Sequence, residues 1–180
     1  MASRRAALPL AFMWALFAFY SVHFLDFRGS VPNFEAVSNG GVLLDVAPAF
    51  GIDAIYGRLE GYGEEGRENY AFRNATVDVA LPLSLLPFLW LLMRAVTRWI
   101  RSRTTRLALL SIPFIYVIFD LAENAAVVAL LSTYPTRMRL LAAFVPYVTT
   151  VKRVASLLAL VAPVALFILQ WRGRRKPVLV

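Results

Sequence analysis

Four stretches of this chain are apolar for close to a full bilayer crossing, and most of the polar residues collect between them. A hydrocarbon core takes about 20 consecutive apolar residues in helix. The first stretch runs from Ala6 to Leu25. The second covers about 77–93, with Asp78 near its start and Pro82 and Pro87 inside it. The third, 107–131, stops before Tyr134-Pro135, and the fourth lies within 140–171, interrupted by Lys152-Arg153. This pattern predicts an all-α membrane protein, a four-transmembrane-helix bundle forming one integral membrane domain over residues 1–180. The first stretch has a long apolar run and no clear small-x-small cleavage site after it, so it reads as a retained anchor rather than a signal peptide.

Between the first and second stretches lie residues 26–75, expected to form a structured loop of about 50 residues on the outer side. A featureless connection of that length is uncommon in a compact protein. Val37-Ser38-Asn39-Gly40-Gly41-Val42 reads as a turn or a short hairpin. Ile52, Ile55, Tyr56 and Leu59 fall at i, i+3, i+4 and i+7 with Asp53 near the start, the spacing of a short amphipathic helix lying on the bundle or on the outer leaflet. Glu64 to Tyr70 is compatible with a helix that extends the second span. Asn74-Ala75-Thr76 spells a glycosylation sequon, but it lies against the membrane and reads as chance.

Composition agrees with lipid as the solvent: 59% of the 180 residues are hydrophobic, against about 45–50% in soluble domains. The net charge of +8 would fit nucleic acid, but its distribution does not. Arg4 and Arg5 precede the first span. Arg94, Arg98, Arg101, Arg103 and Arg106 follow the second, and Arg172, Arg174, Arg175 and Lys176 end the chain. These eleven of nineteen basic residues have no acids among them, whereas the 26–75 segment holds eight acids. The positive-inside rule therefore places both termini on the cytoplasmic side, or its matrix or stromal equivalent, with Trp99 and Trp171 as interfacial anchors. So strong a bias argues against a dual-topology transporter.

The chain has no cysteine, which excludes disulfides, thiolate catalysis, iron–sulfur clusters and Cys-based zinc sites. A single histidine, His23, is too few for a bis-His haem or a ferritin-like di-iron site within one chain. No cofactor and no metal are expected.

Past residue 78 the only acids are Asp120 and Glu123, in the middle of the third span. A carboxylate at the centre of a membrane helix costs a few kcal/mol or more and marks a candidate site. Asp120, Glu123 and Asn124 lie on one helical face, at i, i+3 and i+4. The fourth span runs antiparallel to the third, and counting from their shared end brings Lys152 and Arg153 to the same depth. The expectation is a buried polar network of Asp120, Glu123, Asn124, Lys152 and Arg153. Asp78, one turn into the second span, is a second candidate or a helix-capping acid. His23 and Asp26 sit at the outer end of the first span and could line a vestibule with Asp78. Catalytic candidates are thus Asp120, Glu123, Asp78 and His23. Prolines 82, 87, 113, 146 and 163 each free a backbone carbonyl inside an apolar segment, or bend the helix to fit its neighbours.

Gly63-x-x-Gly66-Arg67-x-x-Tyr70, then Asp78 and Pro82, then Asp120-x-x-Glu123-Asn124 resemble a family of small four-helix bacterial-type membrane proteins without assigned function, over about residues 43–135. The resemblance implies a four-span bundle with a structured outer loop and brings no chemistry with it. The layout is similar to claudin-like tetraspan proteins in topology alone, and the lack of cysteine argues against that family.

The leading expectation is a structural or accessory subunit of a larger membrane complex, with the charge network clamping helices three and four. Its partners would be membrane lipids and other membrane protein subunits. The alternatives are a lipid-active acid–base isomerase or hydrolase using the buried carboxylates, and a proton- or ion-coupled transporter, for which no inverted repeat is visible.

Overall fold

The computed structural model describes residues 2–174, with side chains from Ala6 to Arg172. Arg175 and Lys176 lie outside the described residues, as do the side chains of Arg4, Arg5 and Arg174. Among the described residues the protein is all-helical, with no strand: α1 (Ala2–Phe24), α2 (Val31–Val37), α3 (Ile52–Gly61), α4 (Gly63–Ala75), α5 (Val77–Thr97), α6 (Arg103–Thr133) and α7 (Arg139–Arg174). Four helical stretches are long and apolar enough to cross a membrane: 6–24, 63–97, 103–133 and 139–172. The protein is a membrane protein built as a helix bundle.

The structure refines the sequence reading at three places. The helix expected over 64–70 is present as α4, longer than expected at 63–75, and it extends the second span, running into α5 through a single break at Thr76 (φ −130°, ψ −72°). The fourth span is not interrupted at Lys152-Arg153, because one helix carries through both residues. The 37–42 segment is the turn of the two alternatives and not the hairpin: α2 ends there, and Asn39 (φ 55°) and Gly40 (φ 73°) reverse the chain. The α2 helix itself lies inside the segment read as loop. Ser30 caps it, accepting from the Asn33 backbone N–H at 3.3 Å, and Pro32 sits in its first turn.

The amphipathic spacing at 52–59 forms α3, burying Ile55, Tyr56 and Leu59. They join the hydrophobic core, which gathers Phe34 of α2, Leu43 and Leu44, Tyr62 and Tyr70, and Val127, Leu130 and Val145 from the facing ends of α6 and α7. The core thus sits at one end of the bundle. That is where a membrane protein can gain from hiding apolar area, since lipid already accepts apolar helix faces. Phe34, Tyr62 and Tyr70 pack edge-on or tilted with centroids 5.1–5.6 Å apart. Burial pushes the Tyr62 phenol well above its usual pKa, against the pull of the Arg58 charge. It remains a neutral donor to the Val42 carbonyl at 2.6 Å.

The Gly63–Tyr70 motif has a structural cause at each position. Gly63 (φ 69°) adopts the left-handed conformation that joins α3 to α4. Gly66 lies against the α2 turn, where an added Cβ would meet the Ser38 Cα at 2.9 Å. Arg67 stacks over the Tyr134 ring, and the Tyr70 hydroxyl accepts from the Leu44 N–H at 3.1 Å. Asn74 is buried and donates to the Tyr70 carbonyl.

Candidate functional site

The α6–α7 pair is antiparallel about a five-residue turn, so depth follows from counting. Asp120 lies thirteen residues before the end of α6 and Lys152 thirteen after the start of α7, each about 20 Å along its helix at 1.5 Å per residue. The two meet: Lys152 Nζ is 3.3 Å from Asp120 Oδ1 and pairs more closely still with Glu123 Oε2. Thr149, one turn before Lys152, donates its hydroxyl to Glu123 Oε1. Asn124 donates to Asp120 Oδ2 at 3.2 Å and to the Asp78 backbone carbonyl at 2.8 Å, which ties α6 to α5.

Arg153 does not belong to this network. It is exposed and donates to the Val46 carbonyl at 2.6 Å. Consecutive residues on a helix point about 100° apart, so the face that buries Lys152 turns Arg153 outward. The position expected for it is taken by a carboxylate, Asp45, whose Oδ2 lies 3.9 Å from Lys152 Nζ.

Asp78 is no simple helix cap. Its carboxylate pairs with Arg73 at 2.7 Å, and Arg73 also donates to the Gly29 carbonyl at 2.8 Å. His23 bonds through Nδ1 to the Phe19 carbonyl at 2.8 Å, which requires that nitrogen to carry the proton. Asp26 stays apart, exposed and bonded to Asn33 at the foot of α2.

A cavity of about 450 Å³ brings together Asp120, Lys152, Asp78 and His23. Its walls are one stripe of α1 (Phe12, Ala15, Leu16, Phe19, His23), one of α5 (Asp78, Leu81, Pro82, Leu85, Phe88, Leu89), and positions on α6 and α7 (Tyr116, Asp120, Lys152, Ser156, Leu160). Arg73 and Asp45 complete it. The stripes on α1 and α5 keep the i, i+3, i+4, i+7 spacing of a single helix face. They run in opposite directions: His23 and Asp78 mark one end, and the Phe12 and Phe88 rings meet 5.3 Å apart at the other. Eleven residues of helix separate the two ends, about 16 Å. Every charged group in the wall lies at the first end, and beyond Tyr116 and Ser156 the lining is apolar. α1 packs chiefly on α5 and α2.

The two carboxylates of the third span therefore differ in role. Glu123 is 1% exposed, absent from the cavity wall, and held by Lys152 and Thr149. Asp120 faces the cavity. Among the described residues no group of three or more His, Asp or Glu is placed to hold a metal ion. Sequence reasoning misses Asp45, Arg73, Tyr116 and Thr149. Thr149 stands at i−3 from Lys152, a spacing that could reveal it, whereas nothing in the sequence ties Asp45 or Arg73 to the α6–α7 pair.

No protein-family model, curated protein sequence or solved structure matches this chain.

Proposed function

We propose that this membrane protein binds a single-chain amphiphile between α1, α5, α6 and α7, with its polar head against Asp120, Asp78, Arg73 and Lys152 and its tail along Phe12–Phe19 and Leu81–Leu89. One observation carries this reading: the cavity is polar at one end only and apolar over the rest of its length. Ligand sites are concave and mostly apolar, with a few polar groups that fix orientation. Asp120 supports an acid–base role toward such a ligand, while Glu123 and Lys152 act as the clamp between α6 and α7. The test fills the cavity. Native mass spectrometry of protein released from nanodiscs should show one amphiphile retained by the wild type and lost in Leu85→Trp, with the helical content of both unchanged. Equal retention by both proteins would sink the proposal.

The accessory-subunit reading draws on a different observation. The α1 face away from the cavity exposes Leu10, Met13, Trp14 and Phe17, and α1 packs chiefly on α5 and α2. A second membrane helix could seat there. Migration as a lone monomer on native gels after mild solubilisation would remove that reading.

For topology, the charge pattern supports cytoplasmic termini, a cytoplasmic α5–α6 turn, and α2–α4 on the outer side. The natural absence of cysteine allows a direct check. A single cysteine at Gly40 should react with an impermeant maleimide on intact cells, and one at Arg101 should react only after lysis. The reverse pattern would invert the assignment.

A further inference from the structure

The end of the bundle away from the Asp120 site carries charge of one sign only. No acid precedes Asp26, separates Asp78 from Asp120, or follows Glu123. Arg94, Arg98, Arg101, Arg103, Arg106 and Arg172 are exposed at this end, and none has an ion-pair partner among the described residues. Helix dipoles do not compensate them. Both α1 and α6 begin here while α5 and α7 finish, so terminal charges of about half a unit cancel in pairs. A groove of about 360 Å³ opens at this end, where α1 and α7 each pack on α5. Leu8, Leu92, Val96 and Phe167 give it apolar walls, and Arg98, Trp99 and Trp171 complete it. Leu92 lies six residues, about 9 Å, deeper along α5 than Arg98, and Phe167 is likewise deeper along α7 than Trp171. The backbone polar groups beside the groove are spent. The α5 helix ends in a tight turn, with the Ile100 N–H on the Thr97 carbonyl at 3.0 Å rather than on that of Val96. Gln170 of α7 donates its amide to the Val96 carbonyl so released, tying the two helix ends together. Arg98 is left as the charged group of the wall, its guanidinium carbon 5.0 Å from the Trp99 ring centroid.

We infer that this groove holds an anionic phospholipid, with its phosphate on Arg98 and one acyl chain along Leu92 and Phe167. A guanidinium offers paired N–H donors to phosphate oxygens, and stacking on an indole leaves those edges free. Trp99 and Trp171 are exposed beside it, and indoles favour the depth of lipid head groups. Basic pockets between membrane helices suit such heads, and the neighbouring arginines draw anionic lipid toward this end. A zwitterionic lipid would bring a cation of its own to an end with no acid to receive it. The site is independent of the amphiphile cavity, with which it shares no residue.

The experiment places the full-length protein in nanodiscs of phosphatidylcholine and phosphatidylglycerol in equal parts, with identical acyl chains, and reads the lipid retained on release by native mass spectrometry. The wild type should retain phosphatidylglycerol in clear excess over phosphatidylcholine. Arg98→Gln should lower that preference about fivefold, the weight of one arginine beside an anionic head. Arg106→Gln removes the same charge from outside the groove and should lower it far less. Ala95→Trp, at an exposed position of the groove wall, should displace the phospholipid, whereas Leu85→Trp in the other cavity should leave it in place. Equal retention of the two lipids by the wild type overturns the site. So does retention undiminished in Ala95→Trp, or a loss in Arg98→Gln no greater than in Arg106→Gln, which would mean diffuse attraction by the whole basic end.

Discussion

Asn124 of α6 donates its side-chain amide to the backbone carbonyl of Asp78 in α5, 2.8 Å away, at the point where Pro82 has no N–H to offer that carbonyl. In an uninterrupted helix residue 82 would bond residue 78, and proline removes that bond. A free carbonyl in a membrane helix needs a partner from elsewhere in the protein. Two features that look unrelated in the sequence, a helix-interior proline and a polar residue forty-two positions later, are one device. The device also sets the register of α5 against α6 and so places Asp78 beside Asp120.

This coupling predicts a rescue. Asn124→Leu should destabilise the protein by about 1–3 kcal/mol, the cost of a buried acceptor without a donor. Adding Pro82→Ala restores the helical N–H and should recover part of that loss, although the bond to Asp120 stays missing. Thermal unfolding in detergent of the wild type, both single variants and the double variant gives the coupling energy. Simple additivity would mean that the amide does not serve the proline-freed carbonyl.

The Lys152–Glu123 clamp makes a second prediction. Lys152→Met leaves Glu123 and Asp120 buried without their cation and should cost about 3–5 kcal/mol. Lys152→Met with Glu123→Leu removes the best-buried charge together with its partner, so the double variant should be more stable than Lys152→Met alone. A double variant at least as damaged as the sum of the two singles would contradict the clamp.

Arg153 supplies the contrast. It neighbours Lys152 in sequence but faces outward onto the Val46 carbonyl, so Arg153→Ala should cost no more than about 1 kcal/mol in the same assay. A loss comparable to that of Lys152→Met would return Arg153 to the buried network.

These contrasts show what is legible in the sequence and why. Depth along a helix is one-dimensional, so counting from a shared turn brings Lys152 to Asp120 without any coordinates. Azimuth is less forgiving: one residue of error turns a side chain by about 100°, which is why depth alone points Arg153 inward. The i, i+3, i+4, i+7 pattern of Ile52–Leu59 announces α3 because one face is buried on the core. The α2 helix escapes because seven residues give little periodicity, although Ser30 and Pro32 are its start signals. Asp45 and Arg73 reach the site through the tertiary course of the 26–75 segment, and no local spacing encodes that. The cavity has the same origin: no local spacing shows that α5, α6 and α7 lie against the α1 stripe Phe12–His23.

Gly66 tests the packing that brings Arg73 into position. An alanine Cβ there would meet Ser38 Cα at 2.9 Å, Ser38 Cβ at 3.0 Å and Tyr62 Cβ at 3.1 Å, with a backbone-attached atom of the α2 turn in the way rather than the tip of a flexible side chain. Overpacking of this kind typically costs about 1–3 kcal/mol. Gly57, in the middle of α3 with nothing within 4 Å of where an added methyl would sit, is the matched control. Gly57→Ala should be neutral or should stabilise by up to about 1 kcal/mol through helix propensity alone. Thermal unfolding of both variants checks the pair. Because α4 carries Arg73 at its far end, Gly66→Ala should also weaken amphiphile retention, whereas Gly57→Ala should leave it unchanged. If both variants unfold at the wild-type temperature, the close α2–α4 contact does not hold in solution, and the placement of Arg73 beside Asp78 loses its support.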